Sequence, residues 1–466
     1  MFGGAELHCK QFAETLASLG HEVSILTTCS ESSTSSWSKD HFKPGITKLN
    51  QLQVFRFPLR MRNEVEYEAA MDFTRIYAPS VHPQFLRRKS PLTPEQEEVV
   101  VRENIQSLEL LQFLKKTENY FDYFLFIPYL YGVVLSGVSI VPEKAILIPC
   151  LHDEMFAYLH AVENIFSQSK YILFNSRGEQ EVAKKIMRNL DFQRSIVLGE
   201  GLELHSSEFS ESELESLKKK LQEQQPTLPK RNEDNKLGSQ KTVLQLLERK
   251  NPNLLFVGRV QDGKGVPELL EYFLKLKTIE FSKLQELFLE NPALQLSQSN
   301  QTTKEKNLKE LRNKIEALDV KKFLQNLELR LAGKNSLTKQ IHHDSISYID
   351  SISEDEKKLL LHCATCIANL SPNESYSRLI YEGWFAGKPV LVRKDCLATA
   401  LALEDSGNLG FGVGNFSDFV FAIFELALGS FTEEKSQMAK KFADQTANWE
   451  QTAKKFLDFL AVKERT

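Results

Sequence analysis

The chain is expected to fold as two α/β domains of Rossmann type, and three observations carry this. Short β-rich runs alternate with amphipathic helical runs along most of the 466 residues, the pattern of a parallel sheet covered by helices. The alternation stops at a polar stretch and restarts at NLLFVGRVQDGKG. Length agrees, because single cores rarely grow beyond about 250 to 300 residues. With 42% apolar and 26% charged residues, the chain is too apolar to be disordered.

From Ala5 to Leu19, the residues Cys9, Phe12, Ala13, Leu16 and Leu19 recur at helical spacing, Gly20 follows as a stop, and Glu22 to Thr28 is a β-rich run. After a Ser/Thr-rich loop, strands are expected around Leu52 to Phe57, Tyr123 to Ile127 and over AILIPCL at 145–151. The uncharged run 123–142 is long enough to span a bilayer. Pro128, Gly132 and Gly137 divide it, so it reads as a buried strand, a turn and a core helix. At FNSRGEQEVAKKI a strand runs into a helix, with Ser176 as N-cap and Glu179 three residues on, the pattern of a capping box.

Residues 206–250 are rich in Ser, Glu, Lys and Gln, hold Pro226 and Pro229, and contain Phe209 as their one aromatic. They read as a partly helical surface insertion between domains. A second polar stretch, 278–322, places Leu308, Leu311, Ile315 and Leu318 at helical spacing and reads as an inserted helical hairpin or extended helix. Alternation resumes through LELRLAG, SISYI and CATCIANLS, a helix from about Ser377 to Gly387, then PVLV and closing helices at 416–429 and 432–463. The expected organisation is an N-terminal domain at 1–205, the insertion at 206–250, a C-terminal domain at 251–430 with its helical insertion, and a terminal helix at 431–466. A Rossmann half begins with a strand feeding its first loop. Only Met1 and Phe2 precede Gly3, so the first strand of the N-terminal domain is expected to be missing.

Charge and cysteine usage narrow the function. The 58 basic and 62 acidic residues give a net charge of -4, which argues against a dedicated nucleic-acid binder. Six scattered cysteines form no disulfide framework, and the opening MFGGAELH carries no secretory signal, so a cytoplasmic protein is expected. Cys363 and Cys366 form a C-x-x-C, but no second pair or nearby Cys/His set completes four ligands, and no metal is expected there. His342, His343 and Asp344 read as a solvent-facing polar loop.

Three constellations carry chemistry. Gly3 and Gly4 precede a helix, where backbone N–H groups and the helix dipole can meet a phosphate. Arg259 and Lys264, flanked by Gly258, Gly263 and Gly265, lie in a loop between a buried strand and a helix. Two cations there suit a diphosphate, Arg as a bidentate donor and Lys as a point charge. In NLSPNESYSRLIYEGWFAGKPVLV, Glu374 sits at a strand exit and Glu382 lies eight residues on, about two helical turns into the next helix. Between them, the N–H groups of Tyr376 to Leu379 are orphan donors for an anion. Carboxylates beside such a helix start suit sugar hydroxyls, one on a transferred sugar and one on a ribose.

The order GGAE, HD after a strand, FVGR....KG, then E-x7-E followed by GKPV resembles the family-4 (group 1) retaining glycosyltransferases of the GT-B fold, in which two Rossmann-like domains face a central cleft. The likeness covers nearly the whole chain outside the two insertions. It implies transfer of a hexose from a nucleotide diphosphate-sugar to an acceptor hydroxyl with retention, without a cofactor. By motif, Arg259 and Lys264 would hold the diphosphate, with Gly258 beside them among the donor-binding residues. Glu374 would contact the donor sugar, Glu382 the ribose, the amides of Ser377, Arg378 and Leu379 the phosphates, and His152, ending AILIPCLH, the donor sugar. Ser375 and Ser377 stand where the family usually has glycines, with Arg378 adding a cation. No D-x-D occurs, which fits a fold where cations and amides replace a metal.

Nucleotide-sugar 2-epimerases, sugar phosphorylases and non-catalytic nucleotide-sugar binders share this architecture and remain alternatives. The acceptor would be a saccharide or a lipid-linked molecule, as in bacterial surface polysaccharide or glycolipid synthesis. Arg56, Arg60 and Arg62 with Arg87, Arg88 and Lys89 form either a basic face for anionic lipid at the inner side of the membrane or a salt-bridged surface with Glu64, Glu66 and Glu68.

Overall fold

A computed structural model describes residues 3–31, 37–77, 90, 92–187, 190–223, 243–295 and 301–465. The chain forms two compact units, 1–201 with 374–376 and 447–466, and 202–373 with 377–446.

In the first unit, α1 (Gly4–Ser18) starts from an extended Gly3 and buries His8, Gln11, Phe12, Ala13 and Leu16, one helical stripe. Strands β1 (Ser24–Thr28), β2 (Gly45–Leu49) and β3 (Leu52–Phe57) form a sheet of order β1-β3-β2. Helices α2 (Glu64–Tyr77), α3 (Pro94–Arg102) and α4 (Leu108–Thr117) follow. Then β4 (Phe124–Phe126), α5 (Gly132–Gly137), β5 (Ala145–Leu147), α6 (His160–Gln168), β6 (Tyr171–Phe174), α7 (Arg177–Ile186) and β7 (Ser195–Val197) build a second, all-parallel sheet of order β4-β5-β6-β7. In a doubly wound sheet of order 3-2-1-4-5-6, the first strand lies between the second and fourth. No such strand is found among the described residues, and the unit's strands fall into two sheets ending at β1 and β4. The apolar run 123–142 divides into β4, a turn and α5, as its Pro and Gly residues predict. No helix of the described residues is long and apolar enough to cross a membrane.

In the second unit, α8 (Glu211–Glu223) and α9 (243–248) lie in the first polar stretch, while its Pro226 and Pro229 fall outside the described residues. The lone aromatic Phe209 is buried. Next come β8 (Asn253–Val257) and α10 (Val266–Thr278), then the second polar stretch with α11 (Phe281–Leu289), α12 (Pro292–Gln295), α13 (Gln301–Ala317) and the start of α14 (Val320–Asn326). The remainder is β9 (Glu328–Ala332), β10 (Ile346–Ile349), α15 (Glu354–Cys363), β11 (Cys366–Asn369), α16 (Arg378–Phe385), β12 (Val390–Arg393), α17 (Leu397–Asp405), β13 (Gly410–Val413), α18 (Phe416–Ala427) and α19 (Glu433–Thr446). The sheet has order β10-β9-β8-β11-β12-β13 with every neighbour parallel. The winding reverses between β8 and β11, the switch point where open α/β sheets bind ligands at their strand exits.

The single closing helix expected over 432–463 is two helices. Asn448 accepts a hydrogen bond from Gln451 N at 3.1 Å and starts α20 (Trp449–Lys463), an N-cap that ends α19 and sends α20 into the first unit. There Trp449, Ala453, Phe456 and Leu460 join Phe12 and Leu16 of α1 with Ile146, Ile148, Tyr171, Leu173 and Leu198 in one core. Trp449 stacks on Phe12 at 5.8 Å and its indole N–H donates to Gln11 Oε1 at 3.2 Å.

Candidate functional site

In the second unit, Gly258 leaves β8 with φ 149°, a conformation side chains disfavour, and its N–H bonds Ala332 O at 2.9 Å. Arg259 is exposed. Buried Val260 pins the loop by donating to Lys334 O and accepting from Ser336 N. Asp262 to Lys264 then make one 3-10 turn, closed by Gly265 with φ 68°. A Cβ on Gly265 would lie 2.0 Å from the carbonyl oxygen of Leu370, just past β11. Only glycine permits this approach, and it sets the Arg259–Lys264 loop against the β11 exit.

At the end of β11, Asn369 Nδ2 donates to Ser377 Oγ at 2.8 Å and Asn369 Oδ1 accepts from Ser371 N at 3.1 Å, fixing the loop's two ends. Ser377 is the N-cap of α16 in a left-handed conformation, φ 71°, where a glycine would be unstrained. Arg378 and Leu379 open the helix, with Leu379 buried. Glu382, 8% exposed, is engaged: its Oε1 accepts from Lys357 Nζ at 3.0 Å.

In the first unit, Gly3 and Gly4 stand at the start of α1 as expected. His152 follows β5, half-buried, its Nδ1 3.6 Å from Glu154 Oε1, which also accepts from the Tyr129 hydroxyl at 2.7 Å. The turn before it is held on both sides. Cys150 takes φ 53°, Tyr129 N donates to Pro149 O, and Leu151 N donates to Glu179 Oε1 at 2.5 Å. Residues 374–376 pack in this unit. Ser176 Oγ donates to Ser375 O at 2.6 Å and the Tyr376 hydroxyl donates to Glu200 O at 2.8 Å.

Glu179 corrects the capping box expected with Ser176. Ser176 Oγ does accept from Glu179 N at 3.0 Å, but the Glu179 carboxylate takes the N–H groups of Leu151 and Asn175 instead. It thereby ties the exits of β5 and β6 together. It is fully buried, and burial pushes its carboxyl up to about 8 against the pull of those backbone donors.

The basic face is largely committed internally. Arg60 pairs with Glu103 at 2.8 Å, Arg62 lies 4.8 Å over both Trp37 and Tyr67 and 3.7 Å from Glu64, and Arg56 sits over Phe42 and bonds Thr47. Glu66 pairs with Arg102 instead, and Arg87, Arg88 and Lys89 lie outside the described residues. Cys363 ends α15 and buried Cys366 starts β11. Among the described residues no group of three His, Cys, Asp or Glu side chains is placed to hold a metal.

No protein-family model matches the chain, and no curated protein does. Solved structures match over almost its whole length. HepE of Anabaena, solved with UDP and glucose, superposes with TM-score 0.56 at 14% identity over 98% of this chain and 96% of its own. Sucrose-phosphate synthase of Thermosynechococcus elongatus gives 0.57 at 12% identity over 99% and 94%. WaaG, a glycosyltransferase involved in lipopolysaccharide biosynthesis, gives 0.52 at 12% over 97% and 96%. The fold is GT-B.

Within the GT-B fold, Lys357 and Glu200 carry no mark in the sequence, and Glu179 carries a misleading one. Lys357 looks like one more charge in the first turn of a helix, SEDEKK. Glu200 contributes through its carbonyl, which no side-chain pattern marks. Glu179 carried a local signal that pointed to a different partner.

Proposed function

We propose that the chain is a family-4 (group 1) retaining hexosyltransferase, moving a sugar from a nucleotide diphosphate-sugar to an acceptor hydroxyl. The observation that carries this reading is the close approach of Gly265 to Leu370. It sets a two-cation loop beside the exit of β11 at the switch point of a parallel sheet. The leaving group is a diphosphate, so catalysis rests on fixed charges and dipoles where negative charge develops. Arg259 and Lys264 supply the cations. The amides of Ser377, Arg378 and Leu379 supply the helix-start donors, and the Arg378 side chain a further charge.

Glu374 and His152 meet the donor sugar and Glu382 the ribose. Ser375 and Tyr376 complete the loop, and Gly3 and Gly4 leave the α1 amides open to the donor. HepE, solved with UDP and glucose, supports a nucleotide-sugar donor. WaaG's part in lipopolysaccharide biosynthesis supports a saccharide or lipid-linked acceptor in bacterial surface polysaccharide or glycolipid synthesis, reached from the cytoplasm at the inner membrane face. No metal or cofactor has a part in this scheme.

Isothermal titration with UDP and GDP, alongside turnover of UDP-glucose and GDP-mannose, tests the reading. Lys264→Ala and Glu374→Gln should each lower donor-dependent transfer about 100- to 1000-fold, and NMR should show retained configuration in the product. Unchanged transfer in either folded variant overturns the assignment. Epimer formation or phosphate-dependent sugar release would identify the other enzymes of this fold, and binding without turnover a non-catalytic relative.

A further inference from the structure

Glu382 is 8% exposed, on a helix whose neighbouring residues Tyr381, Gly383, Trp384 and Phe385 are also buried. A carboxylate in such a place needs a partner to remain ionised in a fixed position. Lys357, from the first turn of α15, provides it at 3.0 Å to Oε1, and Glu354 grips the same ammonium at 2.6 Å from the exposed side. Lys357 is itself only 15% exposed. Its helix is fixed by a full capping box, Ser353 with Glu356. Among the described residues, Glu382 Oε2 makes no hydrogen bond.

We propose that Lys357 is a positioning residue for nucleoside recognition, holding Glu382 by Oε1 so that Oε2 is presented to the ribose hydroxyls. The inference rests on the nucleotide-sugar reading above and adds to it a residue outside its motifs. The arrangement separates the two parts of a nucleotide: Arg259 and Lys264 read phosphate, whereas the Lys357–Glu382 pair reads sugar hydroxyls. Burial opposes the charge on Lys357, but Glu382 and then Glu354 outweigh it and raise its pKa above the ordinary value. The ammonium therefore stays charged at neutral pH.

The test compares UDP and GDP with inorganic pyrophosphate by isothermal titration. Lys357→Met, which keeps the stem and removes the charge, should weaken nucleotide binding about tenfold or more, the worth of a hydrogen bond to a charged group. Pyrophosphate affinity should stay within about twofold, which also shows that the variant is folded. Lys357→Arg should recover most of the loss, Lys357→Gln should fall between, and Glu382→Gln combined with Lys357→Met should add little to either alone. Nucleotide binding unchanged in Lys357→Met, or nucleotide and pyrophosphate binding lost together in every Lys357 variant, overturns the inference while leaving the function standing. A wild-type chain that binds neither nucleotide overturns the functional reading, and this inference with it.

Discussion

The phenol of Tyr376 donates to the main-chain oxygen of Glu200 at 2.8 Å, joining positions 176 residues apart. With the bond from Ser176 Oγ to Ser375 O, it anchors the segment next to Glu374. Tyr376 is 4% exposed, so removing its hydroxyl deletes a buried hydrogen bond. Tyr376→Phe should cost about 0.5 to 1.5 kcal/mol, read by urea denaturation, and should lower kcat more than it weakens UDP binding. Equal stability in both proteins would remove the anchor from the account.

Gly265 combines φ 68° with a Cβ position 2.0 Å from Leu370 O. Gly265→Ala must therefore move either the cation loop or the β11 exit. A destabilisation of at least about 1 to 3 kcal/mol is expected, with weakened pyrophosphate binding in whatever fraction folds. Gly20→Ala, also at positive φ but with open space around it, should pay only the backbone strain and leave binding alone.

Glu179 titrates near 4.5 when unfolded and at about 8 when folded, burial being the main cause. Between those values the folded chain keeps a proton that the unfolded chain has released, so the stability this group contributes falls as pH rises from about 5 to about 8. The slope cannot exceed about 1.4 kcal/mol per pH unit. Glu179→Gln should flatten that part of the stability profile, measured by denaturant melts across the range. An identical slope in wild type and variant would show that the carboxyl does not titrate there.

Trp449 and Phe456 close the core over Phe12 from the far end of the chain. Phe456→Ala should cost about 3 to 5 kcal/mol. Val462→Ala, on the same helix but 61% exposed, should cost under about 0.5 kcal/mol. Thermal melts of the two variants check the contrast.

The elements that were legible in sequence are those fixed by local rules. Phe12 and Leu16 mark the α1 stripe by their spacing, and β8 and β11 show as short apolar runs closed by polar or glycine residues. The break between α19 and α20 also had a local sign, Asn448 before Trp449, outweighed by the long helical period around it. Glu179 illustrates the limit. Its spacing from Ser176 fits a capping box, but the choice between that bond and the amides of Leu151 and Asn175 depends on β5 and β6 lying side by side. Lys357 and Glu382 are 25 residues apart and meet because α15 packs on β8 and α16 on the adjacent β11, so no spacing rule could pair them.

The return of α20 to the first unit has a consequence for synthesis. Chains leave the ribosome N-terminus first, and domains ordinarily fold in that order. Here the unit made first lacks Trp449, Ala453, Phe456 and Leu460 until residues 202–446 have been made. The core around Phe12 and Leu16 is completed only once 447–466 has been made, after 202–446.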